Sequence, residues 1–307
     1  MFEAIQIGNF YVWTRVVFLL IGIWLFAEFF LRLAQSANLS LQHFQQKWFW
    51  YLLAFVLGSR LFAMLAEYRV YLHDPLRSVI LWDGGFSFLG GAIGIGVVLY
   101  FATRGHRATF LHWLDALVPA ATLGLVFAWL GAFFSGAAYG TPTDRFWGVT
   151  YDAFNVRYAV PIHPVQLYYV LFYLFLTFVL LVIRKRAKRV GAETLIGIVC
   201  ASVGTFVFEY FRGDFAIPAF ATKVDVLLLL VLFLSLGLFL IVELRLSEWH
   251  FFLYETALAI LAVGYLLARP WLDLETYQLR FSQLLAMMAL LGTVVYVVWQ
   301  RRKYPHL

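Results

Sequence analysis

The first candidates for chemistry in this sequence are charged side chains that lie inside or beside long apolar segments. Arg60 lies in the segment GSRLF, and Glu209 and Arg212 lie in the segment FEYFRGD. A charge in such surroundings is costly, so each residue is a functional candidate. A guanidinium can bind two phosphate oxygens at once. We therefore predict that Arg60 and Arg212, with Glu209 beside them, hold an anionic headgroup. The three-residue spacing of Glu209 and Arg212 also fits a purely structural ion pair.

A second group of candidates surrounds His163 in the segment IHPVQLYY. His163 precedes Pro164, which favours an extended residue directly before a helix. A histidine in this position can act as a general base, and His163 is the candidate catalytic residue. Gln166 and Tyr168 offer polar groups beside it and join the predicted headgroup site. Structural hydrogen bonding by the histidine and membrane anchoring by the tyrosine are the simpler alternatives.

The longest polar stretch of the chain runs from about residue 136 to 165 and contains Tyr139. A loop of this length is usually functional, so Tyr139 also joins the predicted headgroup site. Gly90 and Gly91 lie in the glycine-rich segment WDGGFSFLGGAIGIG. Glycines near a helix start let an anion approach the backbone, and we include both in the same site. Close packing between two helices is the alternative explanation of this spacing.

The composition excludes several classes of protein. The chain has 307 residues, of which 63% are hydrophobic and 13% are charged. Soluble domains carry about 25% charged residues, so a soluble enzyme, a disordered chain and a disulfide scaffold are excluded. The net charge is +6, but the basic residues cluster beside apolar segments and indicate membrane orientation rather than nucleic-acid binding. Cys200 is the single cysteine, and we expect no metal site and no cofactor.

Nine apolar segments predict an all-α, polytopic bundle of transmembrane helices. A span needs roughly 20 apolar residues, and the segments cover about residues 16–34, 46–66, 88–103, 111–135, 166–183, 194–211, 224–245, 250–268 and 281–299. The basic clusters at 104–107, 184–189 and 301–303 all fall on one side of the membrane. The positive-inside rule makes that side the cytoplasm. The N-terminus is therefore predicted outside and the C-terminus inside.

Taken together, these residues resemble the bacterial prolipoprotein diacylglyceryl transferase family. The matching blocks occur in the family's order and are GSRLF, Asp74–Pro75, WDGGFSFLGG, Asp115 with Pro119, YGTPTDRFWGV, HPVQLYY and FEYFRGD. The family has seven spans, so the resemblance implies three parts. A transferase-like core covers residues 1–217, an inserted pair of transmembrane helices covers 218–272, and a closing span with a cytoplasmic tail covers 273–307.

The resemblance also implies a reaction and a location. Members of the family move the diacylglyceryl group of phosphatidylglycerol to the thiol of a lipobox cysteine, at the outer side of the bacterial inner membrane. This reaction displaces glycerol phosphate. It requires cations for the phosphate and a base for the thiol. The implied partner is an anionic membrane phospholipid.

Several functional positions of the family carry other residues in this chain. The histidine of the family's SFHGG block falls on Leu89. The arginine, first asparagine and glutamate of its GRxxNxxNGE motif fall on Trp129, Ala132 and Ala137. The final glutamate of its RHPSQLYE block falls on Tyr169. The replacements lack the proton-transfer groups of the family residues. The resemblance therefore implies a retained fold with a changed site.

Two functions fit this combination of matches and departures. The first, which we favour, is a divergent family member that has lost standard catalysis. It would bind a phospholipid in the family's lateral cavity or act as a subunit of a membrane complex, with the added helices facing a partner membrane protein. The second is an active but divergent phosphatidylglycerol-dependent transferase that acts on prolipoproteins, with His163, Glu209 and Arg212 in its site. A transporter is disfavoured because the chain lacks the expected repeats.

Overall fold

The structure is a computed structural model in which the chain forms two compact units, Met1–Ile217 and Pro218–Leu307. The residues that it describes are 4–7, 10–78, 80, 87–103, 106–152, 156–186, 190–215, 218–222, 224–225, 227, 248–272 and 276–303. Both units are mainly helical, and each also contains one pair of short antiparallel strands.

Long apolar helices make up most of the first unit. Its described helices are α1 (Thr14–Ser36), α2 (Gln42–Ala66), α3 (Tyr68–His73), α4 (Phe88–Ala102), α5 (Arg107–Ser135), α6 (Val165–Arg186) and α7 (Ala192–Phe208). Short 3₁₀ turns follow α3 at Pro75–Ser78 and α7 at Glu209–Phe211.

Membrane-spanning helices occur where the hydropathy pattern predicts them. Within the described residues, five helices are long and apolar enough to cross a membrane. They are Thr14–Ser36, Gln46–Ala66, Arg107–Ser135, Val165–Arg186 and Ala192–Phe211. Phe88–Ala102 and Phe281–Val297 are shorter apolar helices that match two more predicted segments. The predicted multi-pass helical membrane fold is thus confirmed. The segment 224–245 lies outside the described residues except for positions 224, 225 and 227.

Glycines allow two pairs of helices in the first unit to pack closely. In the α2–α4 pair, a Cβ added at Gly94 would collide with the carbonyl oxygen of Ala54, and one added at Gly90 would collide with that of Gly58. In the α1–α5 pair, a Cβ at Gly22 would lie 2.9 Å from the carbonyl oxygen of Gly124. Such close backbone approach is typical of small residues between membrane helices.

The α2–α4 pair joins the rest of the unit through one apolar core. The buried members of this core are Phe30, Leu33, Ala34, Tyr51, Leu99, Trp113, Ala116 and Ala120. They come from the end of α1, the first half of α2, the end of α4 and the first half of α5. This core therefore lies towards one end of the helices. Towards the other end of α2, Leu57, Leu61 and Leu65 are exposed.

A buried polar cluster links four helices at the same end as this core. The carboxylate of Asp115 on α5 accepts hydrogen bonds from the backbone N–H of Gly191 at 2.6 Å and of Thr194 at 2.9 Å. Asp115 therefore satisfies backbone donors at the start of α7. Pro119 has no N–H to bond the Asp115 carbonyl, and Arg184 of α6 donates to that carbonyl instead, at 3.2 Å. Arg184 also donates to Leu33 near the end of α1, at 2.8 Å.

A short strand pair precedes α1 and was not predicted from the sequence. Strands β1 (Ala4–Ile7) and β2 (Phe10–Trp13) are antiparallel, with Ile7 opposite Phe10. The sequence does contain a signal, because Gly8 and Asn9 between two alternating apolar runs are typical of a hairpin turn. Hydropathy over long windows does not detect elements of four residues.

The second unit contains the strand pair β3 (Pro218–Thr222) and β4 (Thr276–Arg280), helix α8 (Glu248–Ala268) and helix α9 (Phe281–Lys303). The strands are antiparallel, with Pro218 opposite Arg280. After β3, Thr222 and Asp225 form reciprocal hydrogen bonds between side chain and backbone, at 2.7 and 3.1 Å. This is the capping box expected at a helix start. Tyr265 of α8 donates to Asp225 at 2.7 Å.

Candidate functional site

Backbone hydrogen bonds fix the long loop between α5 and α6. The N–H of Thr141 donates to the carbonyl of Phe211 at 2.8 Å, and the N–H of His163 donates to the carbonyl of Thr141 at 2.9 Å. Gly140 lies so close to His163 that an added Cβ would collide with the His163 carbonyl oxygen. The loop therefore holds the His163 backbone between the start of α6 and the 3₁₀ turn after α7. We call this end of the first unit the loop end.

Aromatic side chains surround the His163 ring at the loop end. Its Nδ1 is 3.0 Å from the Tyr168 hydroxyl oxygen, which also accepts a hydrogen bond from the indole N–H of Trp147 at 2.8 Å. The ring of Phe211 packs edge-on against the His163 ring with centroids 5.2 Å apart. Burial and the nearby charge of Arg145 lower the pKa of His163, so the neutral ring is favoured.

Gln166 lies on the first turn of α6 and is fully buried. Its side-chain N–H donates to the backbone carbonyl of Ala137 at 2.8 Å, which ties α6 to the end of α5. Its side-chain oxygen has no hydrogen-bond partner among the described residues. Tyr139 is half-buried and packs edge-on against Tyr158, with centroids 6.0 Å apart. Its carbonyl accepts the N–H of Gly213 at 2.8 Å.

The guanidinium of Arg212 lies between two carboxylates. It is 2.6 Å from Glu209 and pairs through two nitrogens with Asp214, at 3.0 and 2.5 Å. The ion pair expected from the spacing of Glu209 and Arg212 is therefore present. Burial acts to lower the pKa of Arg212, but the bonds to Asp214 and the charge of Glu209 outweigh it and raise the pKa above its ordinary value. Arg212 thus stays charged, and both carboxylates accept hydrogen bonds from its guanidinium nitrogens.

A parallel aromatic stack lies beside this ion cluster. The rings of Trp129 on α5 and Tyr169 on α6 are 3.9 Å apart with an interplanar angle of 6°. The hydroxyl of Tyr169 donates to Glu209 at 3.3 Å, and the ring of Phe208 packs edge-on at 5.1 Å. The family resemblance implies an arginine and a glutamate at the positions of Trp129 and Tyr169.

Arg60 is buried towards the end of α2 and donates to backbone carbonyls. Its guanidinium donates to the carbonyl of Arg77, and to that of Ile80 at 2.9 Å. The ring of Tyr71 lies 5.4 Å from its guanidinium carbon, within range of a cation–π interaction. These contacts tie the segment after α3 to α2. The described contacts of Arg60 and Arg212 thus come from different elements.

The glycines of the predicted headgroup site lie in the contact between α2 and α4. Gly90 and Gly91 are buried, and a Cβ at Gly91 would lie 2.5 Å from Ser59. The alternative explanation, close helix packing, thus applies to both residues, and headgroup binding there stays a prediction. Leu89, where the resemblance implies a histidine, is 37% exposed beside them.

The predicted site residues fall into two groups. The loop and the elements bonded to it hold Tyr139, His163, Gln166, Tyr168, Glu209 and Arg212, whereas the second half of α2 and the start of α4 carry Arg60, Gly90 and Gly91. At the end of α5, Ala132 is buried and Ala137 contributes only its backbone carbonyl to the hydrogen bond with Gln166.

Two residues of the loop end were missed as site candidates. Asp214 pairs with Arg212, and its position two residues later in FEYFRGD was an available signal. Trp147 donates to Tyr168 across a separation of 21 residues, and no local spacing rule predicts such a contact.

Comparisons with known proteins agree with the sequence motifs. A family profile described as "Prolipoprotein diacylglyceryl transferase" matches residues 3–299 of this chain. A protein of Pseudoalteromonas atlantica named phosphatidylglycerol–prolipoprotein diacylglyceryl transferase is 32% identical over 53% of this chain and 58% of its own length. A protein of the same name from Polynucleobacter necessarius is 30% identical over 68% of this chain and 81% of its own length.

The helices show the class of protein, and the comparisons show its family. The fold is that of a multi-pass helical membrane protein. The chain belongs to the prolipoprotein diacylglyceryl transferase family, since the family profile covers nearly all of it. The matched region covers 58% of the Pseudoalteromonas relative and 65% of a relative from Idiomarina loihiensis, less than two thirds of each.

Proposed function

We propose that this protein binds an anionic phospholipid in a lateral cavity within the membrane and has lost the standard transfer reaction. The observation that carries the proposal is the stack of Trp129 on Tyr169 at 3.9 Å. These side chains stand where the family motifs carry an arginine and a glutamate. A neutral aromatic pair supplies neither a positive charge for a phosphate nor a base for a thiol at neutral pH.

The state of Arg212 supports the same proposal. The family reaction displaces glycerol phosphate and needs cations to stabilise it. Here Glu209 and Asp214 both contact the guanidinium, at 2.6 and 2.5 Å. A phosphate would have to compete with two carboxylates for the same donors. Binding of a headgroup beside this cluster is compatible with these contacts.

The packing of the first unit supports a lateral cavity. The α2–α4 pair meets α1 and α5 through a core near one end of the helices. Exposed leucines 57, 61 and 65 line α2 towards the other end, and exposed Phe88 and Leu89 begin α4. Apolar side chains in these positions fit the acyl chains of a lipid that enters from the membrane.

An active but divergent transferase is the second candidate. Family membership and the name shared by the relatives favour it. His163 would then act as the general base near neutral pH, since its lowered pKa leaves the ring neutral. Its ring, however, bonds to Tyr168 rather than to either candidate arginine.

We further propose a location in the bacterial inner membrane with the loop end outside. The basic residues at 184–186 end α6 at the opposite end of the unit, and the positive-inside rule assigns that end to the cytoplasm. The N-terminus is then outside and the C-terminus in the cytoplasm. The added helices of the second unit would offer a surface to a partner membrane protein.

Lipid retention tests the binding part of the proposal. After purification in a mild detergent, the protein is expected to retain about one anionic phospholipid per chain, as expected for a single site. Mass spectrometry of the extracted lipids measures the ratio of anionic to zwitterionic species. An unrelated multi-pass protein, purified identically, gives the background. A lipid composition equal to that background would contradict the binding proposal.

A further inference from the structure

The geometry points to His163 as a fixed hydrogen-bond donor through Nε2, with Tyr168 as the residue that positions it and Trp147 as the residue that orients Tyr168. The proposal differs from the general-base role that the sequence suggested for this histidine. The identity of the ligand, the phosphate oxygen of a phospholipid headgroup, rests on the proposed function. The protonation state of the His163 ring is argued from the hydrogen bonds and does not rest on the proposed function.

The direction of the hydrogen bonds follows from the chemistry of the three groups. The indole N–H of Trp147 can only donate, so the Tyr168 oxygen accepts from it at 2.8 Å. The Tyr168 hydroxyl hydrogen then has one acceptor among the described residues, His163 Nδ1 at 3.0 Å. A neutral ring that accepts at Nδ1 carries its proton on Nε2. Nε2 therefore presents an N–H and cannot take a proton from a thiol.

The surroundings of His163 favour this neutral form. The described groups that face the ring are Tyr168 on α6, Phe211 after α7 and Arg145 on the loop. Arg145 is exposed and its positive charge disfavours a second proton on the ring. The side chain of neighbouring Arg212 bonds to Glu209 and Asp214.

Backbone hydrogen bonds fix the position from which the His163 side chain projects. The N–H of His163 donates to Thr141, and its carbonyl accepts the N–H of Val165 at 2.8 Å. Gly140 packs directly on this backbone. Because His163 precedes the first turn of α6, an anion that accepts from Nε2 would also lie near the positive end of that helix.

Nitrogen NMR of the purified protein with labelled histidine tests the proposal directly. The His163 signal is assigned by its loss in His163→Ala. We expect an unprotonated Nδ1 and a protonated Nε2 at neutral pH without added lipid. A protonated Nδ1 in the neutral ring would overturn the proposal, and this result needs no variant at position 168.

A pair of tyrosine variants tests the positioning role. Tyr168→Phe removes a hydrogen bond that exists only with the neutral ring, so the pKa of His163 should rise by about half a unit to one unit. Tyr158→Phe removes a hydroxyl from the same loop and should leave that pKa unchanged. An unchanged pKa in Tyr168→Phe would show that Tyr168 does not position the ring.

Vesicles separate this proposal from the proposed function. Vesicles containing phosphatidylglycerol should shift the Nε2 signal, whereas phosphatidylcholine vesicles should not. If the Nε2–H form is observed and neither vesicle shifts its signal, the positioning of His163 stands and the phosphate ligand is wrong.

Discussion

At the scale of single residues, several charged side chains of the described helices satisfy backbone groups. Asp115 bonds the start of α7, Arg184 bonds the carbonyls of Asp115 and Leu33, and Arg60 bonds carbonyls after α3. In a membrane such groups have no water to bond. A charged residue in a span is therefore as much a structural candidate as a catalytic one.

Asp115→Ala tests this structural role. The change removes the acceptor for two backbone N–H groups and for the hydroxyl of Thr194. The expected loss is about 2 kcal/mol, in the range of lost helix caps and charged hydrogen bonds. The melting temperature in detergent, followed by tryptophan fluorescence, should fall by several degrees. The control Asp144→Ala changes an exposed loop carboxylate and should melt like the parent. Equal melting of both variants would contradict the role given to Asp115.

The sequence predicted which residues belong to the candidate site, but for most of them it did not predict which residues they contact. The sequence identified Arg212 and Glu209 as neighbours because helix spacing alone brings them together. It did not indicate that Tyr168 links His163 to Trp147, since that contact depends on how the loop folds back. The stack of Trp129 on Tyr169 joins two helices, and no spacing along the chain predicts it.

At the scale of elements, hydropathy predicted the long helices and missed the short strands. Each long span is apolar over many residues and keeps its backbone bonds within itself. Strands β1 and β2 have only four residues each. Close helix packing was the alternative explanation of the α4 glycines, and in the structure α2 packs against them.

Two glycines of α4 give a matched test of this packing. Gly94→Ala would place a Cβ against the Ala54 carbonyl, whereas a Cβ at Gly96 meets nothing within 4 Å. Alanine is the better helix former by about 1 kcal/mol, so Gly96→Ala should match or exceed the parent in thermal stability. Gly94→Ala should melt at a lower temperature. Loss of stability in Gly96→Ala but not in Gly94→Ala would contradict the packing described for α2 and α4.

At the scale of the whole molecule, orientation in the membrane decides where the loop end meets its ligand. Phe146 in the loop is 94% exposed, and Lys185 is exposed at the opposite end of α6. With Cys200 replaced by alanine, Phe146→Cys should react with a membrane-impermeant maleimide in intact spheroplasts. Lys185→Cys should react only after permeabilisation. The reverse pattern would invert the proposed orientation.

The division into two units bears on the predicted insertion. β3 begins and β4 ends the segment 218–280, and their antiparallel pairing brings these two ends together. A segment whose ends meet can be added to a bundle without separating its other helices. This supports the proposal that the helix pair was inserted into a seven-span core. The bounds of the insertion, residues 218–272, stay a prediction from the family resemblance.

The most direct test of the central claim is lipidation of a reporter prolipoprotein. The endogenous diacylglyceryl transferase is depleted from a bacterium, this chain is expressed, and the mobility of the reporter is followed. An active transferase serves as the positive control, and immunoblotting of membranes confirms that the chain is present. We predict an unmodified reporter beside a membrane-inserted protein. A lipidated reporter would contradict the claim that this family member has lost the transfer reaction.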